Sequence, residues 1–229
     1  MQIDIITLFP NVFFGPFAES IIARAVNERL IRINTVNPRD FTEDKHRTVD
    51  DTPYGGGPGM LMMADPLCRA IESCRENDSL VILTSPGGEV FSQTMAKEFS
   101  LTKHLIIVCG HYEGVDERVR ELLIDREVSI GDYVLTNGNI PAMVIVDCVA
   151  RLLPGVLGDD SSSVEESFGN GLLEYPQYTR PLEYRGVKVP DVLLSGNHKK
   201  IRDWRREQSI LKTKEYRKDL YENFLDNNK

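Results

Sequence analysis

Hydrophobic positions in the first 153 residues alternate between short β-branched runs and longer segments with helical spacing. The short runs predict strands over Gln2–Phe9, Ile31–Val36, Leu80–Leu83, Leu105–Cys109 and Val128–Ile130. The longer segments predict helices over Asn11–Leu30, Asp65–Glu76, Ser92–Phe99, Val115–Leu123 and Pro141–Leu153. Strands that alternate with helices predict an α/β fold, in which helices cover both faces of a parallel sheet.

The pattern changes after residue 158. Residues 159–176 are polar, acidic and rich in glycine, which is typical of a flexible linker. Two helices are predicted beyond it, over about His198–Leu211 and Lys214–Phe224. We therefore expect an α/β domain over residues 1–158, a linker over 159–176, and a small helical C-terminal domain over 177–229.

The composition limits the class of protein. A hydrophobic content of 41% over 229 residues is enough for a proper core. Met1–Phe9 lacks the basic start of a signal peptide, and no stretch approaches the roughly 18 apolar residues of a membrane span. The four cysteines show no CxxC spacing, which favours buried free thiols in a reducing cytoplasm. We expect a cytoplasmic protein that does not enter a membrane.

Charge is distributed unevenly along the chain. Residues 177–229 hold 13 Lys and Arg against 8 Asp and Glu, whereas residues 1–176 hold 14 against 27. A basic C-terminal part suggests a polyanionic partner, although a solvated helix face would give the same charge. Lys199, Arg202 and Arg206 recur at a spacing of three to four residues and so share one helix face, which favours contact with a phosphate backbone.

Two glycine-bearing loops follow predicted strands. Cys109-Gly-His-Tyr-Glu-Gly-Val-Asp-Glu-Arg118 follows one, and Ser129-Ile-Gly-Asp-Tyr-Val-Leu-Thr-Asn-Gly-Asn-Ile-Pro141 follows the next. Open α/β sheets bind small ligands at such places, and glycine lets the backbone approach a ligand closely. The loops contain no Walker lysine and no cluster of metal ligands. They favour a ligand held by main-chain hydrogen bonds and apolar contact, such as an adenine nucleoside.

A third loop, Arg47–Met60, contains Gly55-Gly-Gly-Pro-Gly59. Either this segment is an ordinary loop, or it is a platform that a planar base or ribose approaches closely. It is not a phosphate-binding loop, because no Gly-Lys-Ser or Gly-Lys-Thr follows. The first strand is followed by Pro10-Asn-Val12 instead of glycines, which disfavours an ordinary dinucleotide-binding dehydrogenase or methyltransferase.

Arg151 and Glu166 are the candidate residues for catalysis. Arg151 lies one turn after Asp147, so the two could simply form a salt bridge. Glu165 and Glu166 could be solvated charges, but Ser167-Phe-Gly-Asn-Gly171 beside them suits a segment that orders on binding and delivers a carboxylate.

Taken together, these features resemble the bacterial tRNA (guanine-N1)-methyltransferase family over nearly the whole chain. The resemblance rests on the two loops quoted above and on Pro38-Arg-Asp-Phe41, His46-Arg-Thr-Val-Asp50, Pro53-Tyr-Gly-Gly-Gly-Pro-Gly-Met-Leu-Met-Met63, Pro154-Gly-Val-Leu-Gly158, Tyr178-Thr-Arg-Pro181 and Leu194-Ser-Gly-Asn-His198.

The resemblance implies a SPOUT-class enzyme that uses S-adenosylmethionine to methylate N1 of guanosine 37 in tRNA, just 3′ of the anticodon. The expected partner is therefore the tRNA anticodon stem-loop. It also implies an obligate homodimer and a C-terminal trefoil knot around the cofactor site, although threaded chains are almost absent from proteins. The apolar helix Pro141–Leu153 is the candidate for the dimer contact. The family is thought to use magnesium (Mg²⁺), but the acidic residues here show no ligand spacing that demands a metal.

The resemblance also implies which residues of this chain form the site, because each site residue of the family can be matched to a position in this sequence. The resemblance implies that the cofactor contacts Ser85, Pro86, Gly110, Tyr112, Glu113, Ser129, Ile130, Gly131, Tyr133, Leu135 and Gly138. Adenine would lie among the backbone of Ile130, Tyr133 and Leu135, whereas Tyr112 and Glu113 would lie near the methionine part. For the RNA substrate we expect contacts from Gly57, Gly59, Lys199, Arg202 and Arg206.

The catalytic arginine of the family falls on Arg151 and its catalytic aspartate on Glu166. Glutamate has the same chemistry with one extra methylene, so Glu165 or Asp160 remain alternatives for the base. Thr136-Asn-Gly-Asn139 also departs from the family, because many relatives carry Gly-Gly-Glu there. The glutamate leaves a second hypothesis open, a non-catalytic RNA-binding protein on the same scaffold. A nucleotide-dependent phosphotransferase is disfavoured by the absence of a phosphate-loop lysine.

Overall fold

The computed structural model describes residues 1–157 and 166–227. The chain falls into two compact units, Met1–Gly158 and Asp159–Lys229. The strands of the first unit are β1 Gln2–Ile6, β2 Arg32–Val36, β3 Asp50–Asp51, β4 Leu61–Met62, β5 Ser79–Val90, β6 His104–Cys109 and β7 Arg126–Ser129. Its helices are α1 Phe14–Phe17, α2 Ser20–Asn27, α3 Ala64–Cys74, α4 Gln93–Ser100, α5 Glu117–Leu123 and α6 Asn139–Ala150, with 3₁₀ turns at Pro10–Phe13 and Pro38–Phe41.

Five strands form one sheet in the order β2-β1-β6-β5-β7, and every pairing is parallel. β6 lies at the centre, and all six of its residues are buried. The predicted parallel sheet is confirmed. β3 and β4 form a separate antiparallel pair.

Side chains of β6 alternate between two hydrophobic clusters, one on each face of the sheet. Leu105 and Ile107 pack on the face that α6 covers with Ala142, Ile145 and Val149. Ile106 and Val108 pack on the opposite face, where α3 contributes Leu67, Ala70 and Ile71. Complete burial of each such side chain contributes about 1.5–3 kcal/mol. The continuous apolar run of β6 is therefore explained by helices on both faces.

A buried polar network joins four strands at the amino-terminal edge of the sheet. His104 Nε2 lies 2.7 Å from Asp4 Oδ2, and its Nδ1 lies 2.7 Å from Ser79 Oγ. Asn34 Nδ2 donates to Asp4 Oδ1 over 2.8 Å. Each of these contacts requires one particular alignment of neighbouring strands, so the network pins the register of β2, β1, β6 and β5.

β5 is longer than its sequence pattern indicated. The prediction ended the strand at Leu83, but β5 continues to Val90. Thr84 and Glu89 both pair with Val128 of β7, so the intervening residues leave the ladder and rejoin it. Gly88 makes this excursion possible, because a Cβ there would lie 2.5 Å from the carbonyl carbon of Glu127.

The single helix predicted over Asn11–Leu30 was wrong. The chain instead forms a 3₁₀ turn, the short α1 and then α2. Gly15 and Pro16 are poor residues for a helix interior, and Ser20 has a φ of 59° at the start of α2. α2 then buries Ile22 and Ala25 against Ile31 and Val156.

The second unit contains a short hairpin, β8 Glu183–Tyr184 and β9 Val187–Lys188, and three helices, α7 Asp191–Leu194, α8 His198–Tyr216 and α9 Lys218–Asp226. Asn197 begins α8, because its side chain accepts a hydrogen bond from Lys200 N over 3.1 Å. The two predicted helices are confirmed, although α8 extends further than expected. The hairpin was missed, since strands of two residues give no alternating pattern.

Residues 166–176 lie in the region we expected to be a linker. Here Leu172 is buried, Leu173 N donates to Thr213 Oγ1 over 2.8 Å, and Lys212 Nζ donates to Glu174 O over 3.0 Å. These contacts tie the segment to α8. Across the described ranges, the helices are all too short or too polar to cross a membrane.

We predict that Gly88→Ala destabilises the protein by about 1–3 kcal/mol, because the added Cβ overlaps the β7 backbone and must push the strands apart. The measurement is the urea midpoint of unfolding. Gly15→Ala is the matched control, since a Cβ there meets nothing within 4 Å and helix propensity favours alanine. Equal midpoints for the two variants would contradict this account of Gly88.

Candidate active site

A pocket of about 590 Å³ opens where β6 and β7 end and where β5 leaves its ladder with β7. Its walls come mainly from three segments that we call the pocket loops: the excursion of β5 at residues 83–87, and residues 110–117 and 127–138. All eleven residues expected at the cofactor line it: Ser85, Pro86, Gly110, Tyr112, Glu113, Ser129, Ile130, Gly131, Tyr133, Leu135 and Gly138. The edge at which parallel strands end is the usual ligand site of an open α/β sheet.

Backbone contact at Gly138 joins two of the three loops. Gly138 N donates to Gly110 O over 2.8 Å. A Cβ on Gly138 would lie 2.8 Å from both Cys109 Cα and Gly110 N, and it would also overlap Thr84 Oγ1. Thr84 is itself fixed, because its hydroxyl donates to Val108 O over 3.1 Å. Glycine is therefore required at position 138 for close packing.

The loop after β7 turns on itself beside the pocket. Gly131 N donates to Ser129 Oγ over 3.2 Å, and Gly131 has a φ of 142°, a conformation that L residues rarely adopt. Tyr133 OH donates to Ile130 O over 3.0 Å. These bonds hold the backbone of the loop in one shape and leave Tyr133 and Leu135 partly exposed at the rim.

The loop after β6 also pairs with the glycine-rich loop that precedes β4. Glu113 N donates to Met60 O over 3.0 Å, and Met62 N donates to Gly114 O over 2.9 Å. Gly59, with a φ of +82°, lies under Glu113, whose Oε1 would be 2.6 Å from a Cβ at that position. Gly59, which we expect to contact the RNA substrate, therefore lies next to Glu113, which we expect to contact the cofactor.

Tyr112 holds an uncommon backbone conformation at the pocket. Its φ is 59°, and its hydroxyl donates to Asp50 Oδ1 over 3.0 Å. Burial and the bond to Asp50 raise the pKa of Tyr112, so the phenol stays protonated and remains a donor. Such strained positions persist where surrounding contacts hold them, often at functional sites.

The start of α6 is fastened to the first strand. Thr7 Oγ1 donates to the buried Asn139 Oδ1 over 2.8 Å, and Phe9 N donates to Thr7 Oγ1 over 3.1 Å. Asn139 N in turn donates to Asn137 Oδ1 over 3.0 Å. The segment that departs from the family pattern, Thr136–Asn139, therefore supports the end of the third pocket loop.

A sequence model of the family described as tRNA (Guanine-1)-methyltransferase TrmD matches residues 1–223 of the chain. This chain belongs to the TrmD family.

Curated relatives support the assignment to the TrmD family. The chain is 57% identical to the tRNA (guanine-N(1)-)-methyltransferase of Carboxydothermus hydrogenoformans over 220 residues, which cover 96% of this chain and 87% of that protein. It is 59% identical to the enzyme of the same name from Dictyoglomus turgidum over 222 residues, covering 97% and 90% of the two chains. The corresponding protein of Ruminiclostridium cellulolyticum is 55% identical over 224 residues, covering 96% of each chain.

The two catalytic candidates carried over from the TrmD family belong to different units. Arg151 is half-buried at the C-terminal cap of α6 and is not among the residues that line the pocket. Glu166 is half-buried in the second unit, where its carbonyl accepts a hydrogen bond from Gly169 N over 3.1 Å. Asp160 and Glu165, the alternatives for the base, lie outside the described residues.

The residues expected to contact RNA are accessible. Gly57 is exposed and has a φ of +130°. Lys199, Arg202 and Arg206 are all exposed along α8. The spacing argument for a shared helix face therefore agrees with the helix that the structure contains.

Within residues 1–157 and 166–227, no group of three or more His, Cys, Asp or Glu side chains could hold a metal ion. Among the free cysteines only Cys109 is buried, and the other three are half-buried, which corrects the expectation that all four thiols are buried. Burial still raises the pKa of Cys74 to about 12, so its thiol stays protonated.

Sequence reasoning missed several residues that shape the site. Thr84, Asn139, Asp50 and His111 each support or line the pocket. The first three act through hydrogen bonds to residues 24, 132 and 62 positions away. No local pattern in the sequence indicates which distant residues form such hydrogen bonds. Asp50, Asn139 and His111 all lay within quoted motifs, and the position of His111 beside Gly110 was the available signal for that residue.

We predict that Gly138→Ala weakens binding of S-adenosylhomocysteine at least about 10-fold, because the backbone of Cys109 and Gly110 must move to admit a Cβ. Isothermal titration calorimetry measures the affinity. Gly87→Ala is the control within the same pocket, since its Cβ would meet only Ser85 Oγ, at an ordinary 3.7 Å. An unchanged affinity in Gly138→Ala would mean that this contact does not shape the ligand site.

Proposed function

We propose that this protein transfers a methyl group from S-adenosylmethionine to N1 of guanosine 37 in tRNA, just 3′ of the anticodon. Membership of the TrmD family supports the reaction. The observation that carries the proposal is the pocket at the carboxyl edge of the sheet, which all eleven expected cofactor residues line. The name of the family gives the base and the atom, whereas position 37 comes from the resemblance in sequence.

The pocket fits an adenine nucleoside better than a ligand held by phosphate charge. Its lining includes main-chain groups of five glycines together with Ile130, Val134 and Leu135. Among the lining residues that the structure describes, Arg120 is the only lysine or arginine, and it is paired with Glu117 and, at 2.9 Å, with Glu127. When bound, S-adenosylmethionine supplies a methyl group on a sulfonium.

Arg151 and Glu166 are the residues to which we assign the chemistry. Guanine N1 carries a proton at neutral pH, so a base must take that proton as the new bond between N1 and the methyl carbon forms and the bond from that carbon to the departing thioether sulfur breaks. The Glu166 carboxylate accepts it, a role worth about 10²- to 10⁴-fold in rate. Negative charge develops on O6 as the proton leaves, and the Arg151 guanidinium stabilises it.

Glu166 has one methylene more than aspartate, so the surrounding segment must accommodate a carboxylate that extends further from the backbone. A displacement of about 1 Å at a reacting group can cost about 100-fold in rate. We infer that the segment around Glu166 docks slightly further out when RNA binds. The neighbouring Phe168 has a φ of 73°, and glycines follow it at 169 and 171. Glycine accepts a wider range of backbone dihedrals than other residues, which supports a segment that changes its path.

We further propose that the first unit is the cofactor domain, folded as a trefoil knot of the SPOUT class, and that the protein is a homodimer. The family supports the knot, and the long loops that pack together at Gly110 and Gly138 are compatible with it. α6 supports the dimer, because it buries one face while leaving Ile140 54% and Val144 38% exposed. Exposed apolar side chains on a helix favour contact with another protein surface.

The second unit, Asp159–Lys229, is the proposed RNA-binding domain. Lys199, Arg202 and Arg206 offer cations to the phosphate backbone. Over residues 166–227 the unit also contains a cavity of about 870 Å³, with Arg180 and Arg205 in its wall and no carboxylate among the described lining residues. Arg205 lies over the Tyr175 ring at 4.6 Å, a stacked surface of the kind that RNA bases use.

The substitution of glutamate for the family's aspartate keeps one alternative open, a non-catalytic protein that binds tRNA and cofactor. Both hypotheses predict binding, and only the first predicts product. Transfer of tritium from labelled S-adenosylmethionine to tRNA separates them. For the enzyme we expect methylation of tRNA that has guanosine at position 37. We expect no methylation when adenosine replaces that guanosine. Binding of both ligands without any transfer would favour the alternative.

In the same assay, we predict that Arg151→Ala abolishes turnover and leaves cofactor binding largely intact. Glu166→Gln should lower the rate about 10²- to 10⁴-fold, because the amide cannot accept the N1 proton. Glu215→Gln, which removes an exposed carboxylate from α8, is the matched control and should be neutral. Retained activity in Arg151→Ala would remove that residue from the mechanism, and retained activity in Glu166→Gln would assign the base to another group.

We also predict that Lys199→Gln, Arg202→Gln and Arg206→Gln each weaken tRNA binding and lower its salt dependence. Loss of one phosphate contact should reduce the slope of log affinity against log salt by about one. Filter binding at several salt concentrations gives the slope. Lys188→Gln, an exposed cation of β9, should leave it unchanged. Equal slopes for all four variants would contradict a specific basic face.

A further inference from the structure

His111 is a buried polar residue on the wall of the pocket. It is the second residue of the loop after β6 and is only 4% exposed. Its ring lies against Phe9, with centroids 5.4 Å apart and planes tilted by 46°. Neither the catalytic assignment nor the expected cofactor contacts includes it.

One hydrogen bond fixes the tautomer of His111. Nδ1 lies 2.9 Å from Cys109 O, and a carbonyl oxygen can only accept, so Nδ1 carries the proton. Burial lowers the pKa of His111, and the bond to Cys109 O offsets part of that effect. The ring is therefore neutral at pH 7, and Nε2 presents a lone pair that can only accept.

Nε2 of His111 is buried and has no hydrogen-bond partner among the residues that the structure describes. A buried polar atom without a partner is costly, and such atoms are rare in folded proteins. The residue lies between Gly110, whose carbonyl holds Gly138, and Tyr112. The unpaired acceptor therefore belongs to the loop that forms the middle wall of the pocket.

We propose that His111 Nε2 accepts a hydrogen bond from an N–H or O–H group of S-adenosylmethionine, which makes His111 a cofactor-binding residue. The inference rests on the proposed function, in which this pocket holds that molecule. The ligand offers suitable donors on both halves: ribose hydroxyls and an amino group on the nucleoside, and an ammonium on the amino acid. Occupied, the pocket would satisfy the one ring nitrogen that the protein leaves unpaired.

Asparagine and glutamine separate the two ring nitrogens of His111. In His111→Asn the amide reaches the position of Nδ1 and can still donate to Cys109 O, but nothing replaces Nε2. In His111→Gln the amide reaches the position of Nε2 and offers an acceptor there, while the donor to Cys109 O is lost. A role in cofactor binding and a purely structural role therefore predict opposite orders for the two variants.

The experiment is calorimetric titration of the full-length protein with S-adenosylhomocysteine in the absence of RNA. We expect His111→Asn to weaken binding about 10- to 100-fold and His111→Gln to stay within about 3-fold of the unsubstituted protein. His46→Asn, at an exposed position in the loop before β3, is the matched control and should bind normally. Thermal unfolding of each variant monitors the structural effect separately.

Titration with 5′-methylthioadenosine, which lacks the amino-acid half, locates the donor. If His111→Asn also weakens the binding of this ligand, the donor lies on the nucleoside. If His111→Asn binds this ligand normally, the donor is the ammonium group. Both results support the proposal.

Two results would overturn the proposal. Weaker binding in His111→Gln than in His111→Asn would mean that the residue acts only through Cys109. Unchanged affinity in both variants would reject the cofactor contact, and a raised KM for tRNA alone would then place the donor on the RNA. The readout is binding, so a protein that binds the ligand without methylating tRNA would contradict only the proposed function.

Discussion

The contact on which the site depends is the close packing of Gly138 against the backbone of Cys109 and Gly110. Only a hydrogen atom fits where a side chain would be, and the bond from Gly138 N to Gly110 O holds the two loops together. α6 begins at the next residue, and Asn139 fastens that helix to Thr7 of β1. One tight approach of main chain thus sets the position of the third pocket loop, the first turn of α6 and the end of the central strand.

A second set of backbone bonds connects the pocket to the glycine-rich loop. Glu113 and Gly114 pair with Met60 and Met62, and Gly59 has no side chain to separate the two segments. In the proposed reaction, the methyl donor and the target base must meet within a few ångströms. The same hydrogen bonds join the glycine-rich loop, which is the proposed platform for the base, to the loop after β6, which forms a wall of the pocket. The fold of the first unit therefore fixes the distance between these two loops.

The proposed chemistry divides between the two units. The pocket and Arg151 belong to a unit with a fully buried central strand. Glu166 belongs to a segment with uncommon dihedrals and several glycines. Binding an adenosine-bearing donor requires a fixed backbone, whereas admitting a tRNA loop requires room. In the proposed reaction, a carboxylate on this segment serves as the base, with one methylene more than the aspartate that the resemblance implies.

The sequence alone determined the parallel α/β class and the small helical C-terminal unit, because the period of hydrophobic residues indicates strands and helices. It also determined the glycine loops at the strand ends, because glycines can be read directly from the sequence. The resemblance supplied the eleven residues that the pocket gathers. Only the tertiary structure decided the strand order, the excursion within β5, the break before α2 and the unpaired nitrogen of His111. These features arise from contacts such as Thr7 with Asn139, 132 positions apart, and the spacing of residues along a chain carries no information about which distant segments will meet.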